Sequence, residues 1–212
     1  MRAIVVTFPT LTNTATAICA SQAVASSLLI NGTLASSGVA TLAAAQPVSF
    51  ASSSNLSGIN FTITGTDADE RSQSEVVAGP NNNAVITLGY YKTITSITAS
   101  STSASLITVG AIDDNGAVSK TQVLNWRAIN SNVTFAMTFG TEVASASVDV
   151  SYTDPQSSEA LSWFNTPLNN VNANISYNIK DSVSAARFRL NSYTSGTGLE
   201  LTILSGGYAL GG

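Results

Sequence analysis

The stretch Ser57-Gly58-Ile59-Asn60-Phe61-Thr62-Ile63-Thr64-Gly65-Thr66 decides how the chain is read. Ile59, Phe61 and Ile63 alternate with Asn60, Thr62 and Thr64, so an extended strand puts the apolar side chains on one face and the polar ones on the other. A helix would not sort them, because its faces repeat every three to four residues. The same alternation recurs outward from this point. It appears in Val85-Ile86-Thr87-Leu88, Ile94-Thr95-Ser96-Ile97, Val133 to Phe139, Val148 to Tyr152, Ile175 to Ile179, Phe188 to Leu190 and Leu199 to Ile203. Between these runs, Asn31-Gly32 and Asn115-Gly116 predict tight hairpins, and Gly79-Pro80-Asn81-Asn82 must break a strand. Many short strands punctuated in this way predict an all-β protein with little helix, built as two β-sandwich or jelly-roll-like domains in tandem. One segment stands apart: Ala15 to Ala25 is alanine-rich and proline-free and reads either as a short helix or as extended chain.

A length of 212 residues suits one large all-β domain or two small ones. The polar, turn-prone segment Ile112-Asp113-Asp114-Asn115-Gly116-Ala117 near the middle favours two. The expected division is 1–113, an N-terminal segment plus the first sandwich, and 114–212, the second sandwich with a glycine-rich tail. The halves also echo each other: Thr95-Ser96-Ile97-Thr98 followed by Ile107-Thr108-Val109-Gly110 resembles Phe188-Arg189-Leu190 followed by Leu201-Thr202-Ile203-Leu204.

Composition narrows the function classes. Only 9% of the residues are charged, against roughly 25% in an ordinary soluble domain, so hydroxyls and amides solvate the surface. The eight cations are scattered and the net charge is −4, which gives no basic stripe for nucleic acid. The apolar run after Arg2 is interrupted by Pro9 and a series of threonines, too early for a secretion signal, and no apolar stretch is long enough to span a membrane. The expected setting is therefore a product made in a cytoplasm, without membrane or nucleic-acid partners.

Histidine is absent, which removes the commonest general base, the serine and cysteine triads that use it, and imidazole metal ligation. Cys19 is the only cysteine and reads as a small buried hydrophobe. No lysine sits in a Ser-x-x-Lys motif, and no glycine-rich phosphate loop precedes a helix. The acidic cluster Asp67-Ala68-Asp69-Glu70 reads as a solvated hairpin loop, with calcium ligation as its alternative. These readings predict no catalytic, cofactor-binding or metal-binding residues.

The aromatic residues carry the remaining signal. Trp163 and Phe164, between Pro155 and Pro167, read as core anchors or as anchors of a protein interface, where large rigid rings concentrate binding energy. Tyr208 and Leu210 join them as candidate interface residues in the tail Leu204-Ser205-Gly206-Gly207-Tyr208-Ala209-Leu210-Gly211-Gly212, which reads as an arm laid along a neighbour's sheet edge or as a loosely ordered terminus. Arg187 and Arg189 are expected to pair with Glu200 across strands.

The passages Ser57 to Asp67, Ser74-Glu75, Gly79-Pro80 and Tyr91-Lys92-Thr93-Ile94-Thr95-Ser96-Ile97-Thr98, ending at Val109-Gly110, resemble a pattern of structural proteins in tailed-bacteriophage particles. Val148-Asp149-Val150-Ser151-Tyr152-Thr153, Trp163-Phe164, Ala186-Arg187-Phe188-Arg189-Leu190 and Tyr193 to Leu204 are similar to the β-domain that often follows in them. The sequence departs at Asp69-Glu70-Arg71, where the pattern carries Asp-Gly. The resemblance covers about 50–210, specifies a scaffold and assigns no site. It implies a non-enzymatic virion component without cofactor. The first expectation is a capsid decoration or cement protein acting as a homo-oligomer, with a trimer favoured, on the major capsid protein. The alternatives are a neck, collar or tail-associated protein and, in another class, a carbohydrate-binding host-adhesion module using Trp163 and Tyr152.

Overall fold

The structure is a computed structural model that describes residues 3–113, 116–124, 129–141, 143–155 and 160–208. In chain order its strands are β1 (Ala3–Thr7), β2 (Thr14–Val24), β3 (Ala35–Ser36), β4 (Val39–Gln46), β5 (Val48–Ala51), β6 (Asn60–Thr66), β7 (Ser72–Ala78), β8 (Ala84–Ile86) and β9 (Tyr91–Ala99). They continue as β10 (Ser103–Ala111), β11 (Ala117–Val118), β12 (Gln122–Val123), β13 (Ile129–Thr138), β14 (Val143–Ser151), β15 (Phe164–Asn165), β16 (Ile175–Ile179), β17 (Ala185–Ser195) and β18 (Glu200–Tyr208). The described residues contain no helix. The Ala15 to Ala25 segment falls almost wholly in β2, extended against β10. Intrinsic helix preference of alanine is outweighed there by a paired backbone and by burial of Ala17, Ile18 and Cys19.

The chain divides into two compact units, Leu11–Ala117 and Met1–Thr10 with Val118–Gly212. The arrangement is nested rather than tandem, and the first ten residues do not belong with the segment that follows them. The physical reason is strand pairing: β1 runs antiparallel to β18, with Ala3 opposite Leu204 and Thr7 opposite Glu200. The C-terminal unit is thus interrupted after its first strand by the whole of the other.

In the inserted unit, one sheet has the order β2-β10-β5-β8. The other has the order β4-β9-β6-β7, with β3 added on β4. Counting β2, β4, β5, β6, β7, β8, β9 and β10 as first to eighth, the sheets read first-eighth-third-sixth and second-seventh-fourth-fifth. This is the doubled Greek key of a jelly roll. Its core joins Phe61, Ile63, Ile94 and Ile97, which the alternation predicted, to Ile18, Val48, Phe50, Ile107 and Val109 of the other sheet. The Phe50 and Phe61 rings meet between the sheets, 5.5 Å apart.

In the C-terminal unit, the sheets are β1-β18-β13-β16 and β12-β17-β14-β15. Counted in the same way, with β1 first, β12 second and β13 to β18 following, the order is again first-eighth-third-sixth and second-seventh-fourth-fifth. Both units therefore have one topology. The echoing segments of the sequence occupy equivalent places, since β9 and β17 are seventh strands and β10 and β18 are eighth. Phe135, Met137, Leu201 and Ile203 of one sheet, and Val148, Phe188 and Leu190 of the other, are buried. Phe8, just past β1, sets its ring edge-on to Phe188 at 5.1 Å.

One turn expectation is corrected. Asn31-Gly32 is not a hairpin turn; Gly32 donates to the Ile18 carbonyl at 2.8 Å, and a Cβ there would lie 2.3 Å from the Thr16 carbonyl oxygen. The tight turn with two positive φ angles falls instead at Ser37 (52°) and Gly38 (77°), between β3 and β4. At the other site, Gly116 has φ 76°, and Asn115 lies outside the described residues. Leu204–Tyr208 is not a free arm either, because it belongs to β18 and pairs with β13 as far as Tyr208 opposite Ile129.

Gln46, fully buried at the end of β4, holds the two ends of the inserted unit together. Its Nε2 donates to the carbonyls of Thr12 and Ile112, each at 3.0 Å, and its Oε1 accepts from Thr12 N–H at 3.4 Å. An unpaired buried polar group costs about 1–3 kcal/mol. Gln46→Met is therefore expected to lower the unfolding free energy by about that much, and Gln46→Glu by more, because a buried carboxylate accepts but does not donate to two carbonyls. Urea denaturation of the three proteins checks the order.

Candidate functional site

The most chemically elaborate region lies on the outer face of the β14 and β17 pair in the C-terminal unit. Register places Asp149 opposite Arg187 and Ser147 opposite Arg189. Alternation then sends Val148, Phe188 and Leu190 inward and the polar set outward. Asp149 is 3% exposed and receives both arginines. Arg187 Nε donates to Oδ2 at 3.1 Å, with its Nη2 3.0 Å from the same oxygen. Arg189 Nε and Nη2 donate to Oδ2 and Oδ1, each at 3.1 Å. The expected partner, Glu200, starts β18 in the other sheet and receives the Thr202 hydroxyl at 3.3 Å. Asp149 was legible as a charge inside a buried run, Val148-Asp149-Val150, but its partners depend on pairing that the sequence does not display.

Trp163 and Phe164, predicted as a pair, separate in role. The Arg187 guanidinium lies 4.5 Å from the Trp163 ring centre, so this half-buried indole is stacked on a cation that is itself held by Asp149. Phe164, opposite Val150, is 51% exposed. Its ring stands 5.7 Å from that of Tyr152. Both line a groove of about 380 Å³ where β15 and β16 part, together with Tyr177, Asn165, Asn178, Lys180 and Asp181. Tyr152 and Tyr177 are 50% and 39% exposed. Tyr177 and Asn178 were assigned to a strand from the sequence but not to a site, since exposure of β16 on both faces is a property of its edge position. Leu210 and Trp126 lie outside the described residues, and of Tyr208 only the backbone is described.

A second feature lies in the inserted unit. The alternation extended a strand through Leu88, but β8 ends at Ile86. The Glu75 carboxylate accepts from Leu88 N–H at 2.8 Å and Gly89 N–H at 2.9 Å, and the Thr87 hydroxyl donates to the Gly89 carbonyl at 2.8 Å. A pinned turn thus presents a leucine that is 90% exposed, beside the β7 that carries Val76, 63% exposed. Leu88-Gly89 at the end of an apolar run was the available signal.

Asp67, Glu70 and Lys92 have structural work. Asp67 Oδ1 accepts from the backbones of Asp69 and Arg71 at 2.8 and 2.9 Å, and Glu70 takes the positive φ, 65°, usually given to glycine. This closes the β6–β7 hairpin despite the missing Asp-Gly. Among the described residues no three metal-ligating side chains are grouped. Lys92, whose pKa burial lowers, donates its ammonium protons to the carbonyls of Leu42 and Ala43 at 2.6 and 2.9 Å. Burial pushes the Cys19 thiol up to about 12. Burial, with the Glu75 carboxylate second, takes the Tyr91 phenol to about 12 as well.

No protein-family model matches the sequence, and no curated protein matches it.

Two measurements test this account. Asp149→Ala removes the carboxylate that two arginines share, and because those arginines are 26% and 23% exposed the expected cost lies below that of breaking a fully buried pair, about 3–5 kcal/mol. In a Trp126→Phe background it is also expected to shift Trp163 fluorescence to the red as the guanidinium lets go of the ring. Separately, Cys19 and Tyr91 keep their protons to about 12 when folded, against ordinary values of 9.0 and 10.0. The folded chain binds protons more tightly in that window, so stability falls as the pH rises through it and has no such slope below it. Urea midpoints at stepped alkaline pH, with alkylation of Cys19 only on unfolding, are the expected result.

Proposed function

We propose that the protein is a non-enzymatic structural component of a bacteriophage particle. In this reading it is a decoration or cement protein that binds the major capsid protein as a homo-oligomer, simplest as a trimer, and stabilises the shell. The observation that carries the proposal is the repetition of one jelly-roll strand order in two nested units. Jelly rolls recur in viral capsid proteins, and a second copy on one chain doubles the surface available for contacts. The bacteriophage resemblance of the sequence supports the same reading. With 9% charged residues, few ions need desolvating when copies meet other subunits.

The contacts have a candidate anchor. An exposed leucine gains nothing in folding but gains when a neighbour covers it, and the Glu75 carboxylate fixes the turn that carries Leu88. Quantitative densitometry of purified particles is the test. Copies on the order of hundreds per particle, in symmetric clusters, support the shell, a single ring's worth moves the protein to the neck or tail, and absence from the particle sinks the proposal. Leu88→Asp is expected to leave the melting temperature unchanged while reducing the copies retained on the shell.

A further inference from the structure

The inserted unit leaves one long strand edge open. β7 pairs with β6 without a break in register, from Ser72 opposite Thr66 to Ala78 opposite Asn60, and no strand lies on its other side. The bonds that flank this ladder fix which backbone groups it uses. Asp67 N–H donates to the Arg71 carbonyl at one end, and Gly79 N–H donates to the Ile59 carbonyl at the other, at 3.0 and 2.8 Å. Antiparallel pairing alternates, so Gln73, Glu75 and Val77 share that parity and face β6. The N–H and C=O groups of Ser72, Ser74, Val76 and Ala78 therefore point off the sheet. Among the described residues no turn or loop backbone bonds to these four.

The other edges of this unit are covered or cut short. Along β2, Gly32 and Leu34 donate to the carbonyls of Ile18 and Ala17, and Asn31 Oδ1 accepts from Ala20 N–H at 2.9 Å. β8 has three residues, and β3, which flanks β4, has two. β7 has seven, and it lacks the lysine, proline or bulge that commonly blocks pairing at an edge. Its single charge, Glu75, turns to the Leu88 and Gly89 amides of its own chain, which engage both carboxylate oxygens. What such an edge accepts is an extended backbone, and a second copy of the same strand supplies one with the matching alternation. A two-fold antiparallel pairing centred on Glu75 would set two carboxylates opposite each other, which is unfavourable. Centred on Val76, which is 63% exposed, it joins two valines and separates the carboxylates.

We propose that β7 pairs antiparallel with β7 of a second copy about a two-fold axis at Val76, so that Ser74 of each strand faces Ala78 of the other. The contact does not rest on the particle reading, and its two-fold symmetry separates it from three-fold clustering. Val76→Pro tests it selectively, because it removes an N–H that β6 does not use and proline is tolerated in an edge strand. Val76→Lys sets two cations opposite each other across the axis. Sedimentation equilibrium of the full chain, at up to about 1 mM to reach the weak end of affinity, is expected to give the mass of an even number of chains. Both variants are expected to give half that mass, with melting temperatures like the parent's. Residue-resolved amide exchange is expected to slow at Ser74, Val76 and Ala78 as the concentration rises, and to stay constant at Gln73, Glu75 and Val77. The proposal is overturned if the parent has the mass of an odd number of chains at every concentration, or if either folded variant assembles as the parent does. It is equally overturned if exchange at the three amides does not depend on concentration. Because the assay uses isolated protein, failure here leaves the particle densitometry untouched, and absence from particles leaves this pairing untouched.

Discussion

Pairing of the first strand with the last is the constraint from which the rest follows. β1 must find β18 across nearly the whole chain, and such a pairing forms only after a loop has been closed. The cost is kept low because the intervening chain is not free. In the inserted unit the first and last strands are themselves neighbours, with Thr14 opposite Ala111, and Gln46 ties Thr12 to Ile112 just beyond that pair. Once folded, the insertion acts as a short turn between Thr10 and Val118. An order in which the inserted unit folds first therefore shortens the loop that β1 must close, and it lets a non-local sheet form at near-local cost.

What the alternation can and cannot encode follows from this. Period two states which side chains share a face, so Phe61, Ile63, Ile94, Phe188 and Ile203 were legible as core residues from spacing alone. It does not state which strand lies beside which. The nested connection, the partner of Asp149 and the place of β1 are all pairing facts and were invisible for that reason. Ala15 to Ala25 misled in a different way: alanine is small enough for either helix or strand, and the choice was made by β10 alongside it. The groove was half legible. Phe164 and Tyr152 stood out as rings near prolines, whereas Tyr177 and Asn178 arrive from a distant strand.

In a chain with so few charges, the cluster of Asp149, Arg187 and Arg189 is costly to bury, and replacement of such groups by apolar ones is often no loss in stability. Its physical return is register. Slipping β14 by one residue against β17 would send Asp149 into the core among Phe188 and Leu190 and turn Val148 and Val150 outward. Strands rich in serine and alanine, such as β14, specify register weakly by packing. A charge that fits on only one face specifies it strongly, and it sets Asn165 and Trp163 as a consequence.

The two units share a strand order but not an edge, and the difference explains where each presents chemistry. In the inserted unit the fifth strand, β7, pairs with β6 along its full length, from Ser72 opposite Thr66 to Ala78 opposite Asn60. That edge is regular, and the exposed leucine is displaced to the next turn, around Leu88. In the C-terminal unit the fifth strand is reduced to Phe164 and Asn165. The chain beyond it follows β14 irregularly, through backbone bonds such as Val148 N–H to the Leu168 carbonyl and the reciprocal pair of Ala146 and Val171, and through side-chain bonds of Thr166 and Ser147. A shortened strand leaves the sixth strand, β16, uncovered, and the gap between them is the groove. Because the two units share their strand order, the groove belongs to the irregular course of this edge rather than to the topology.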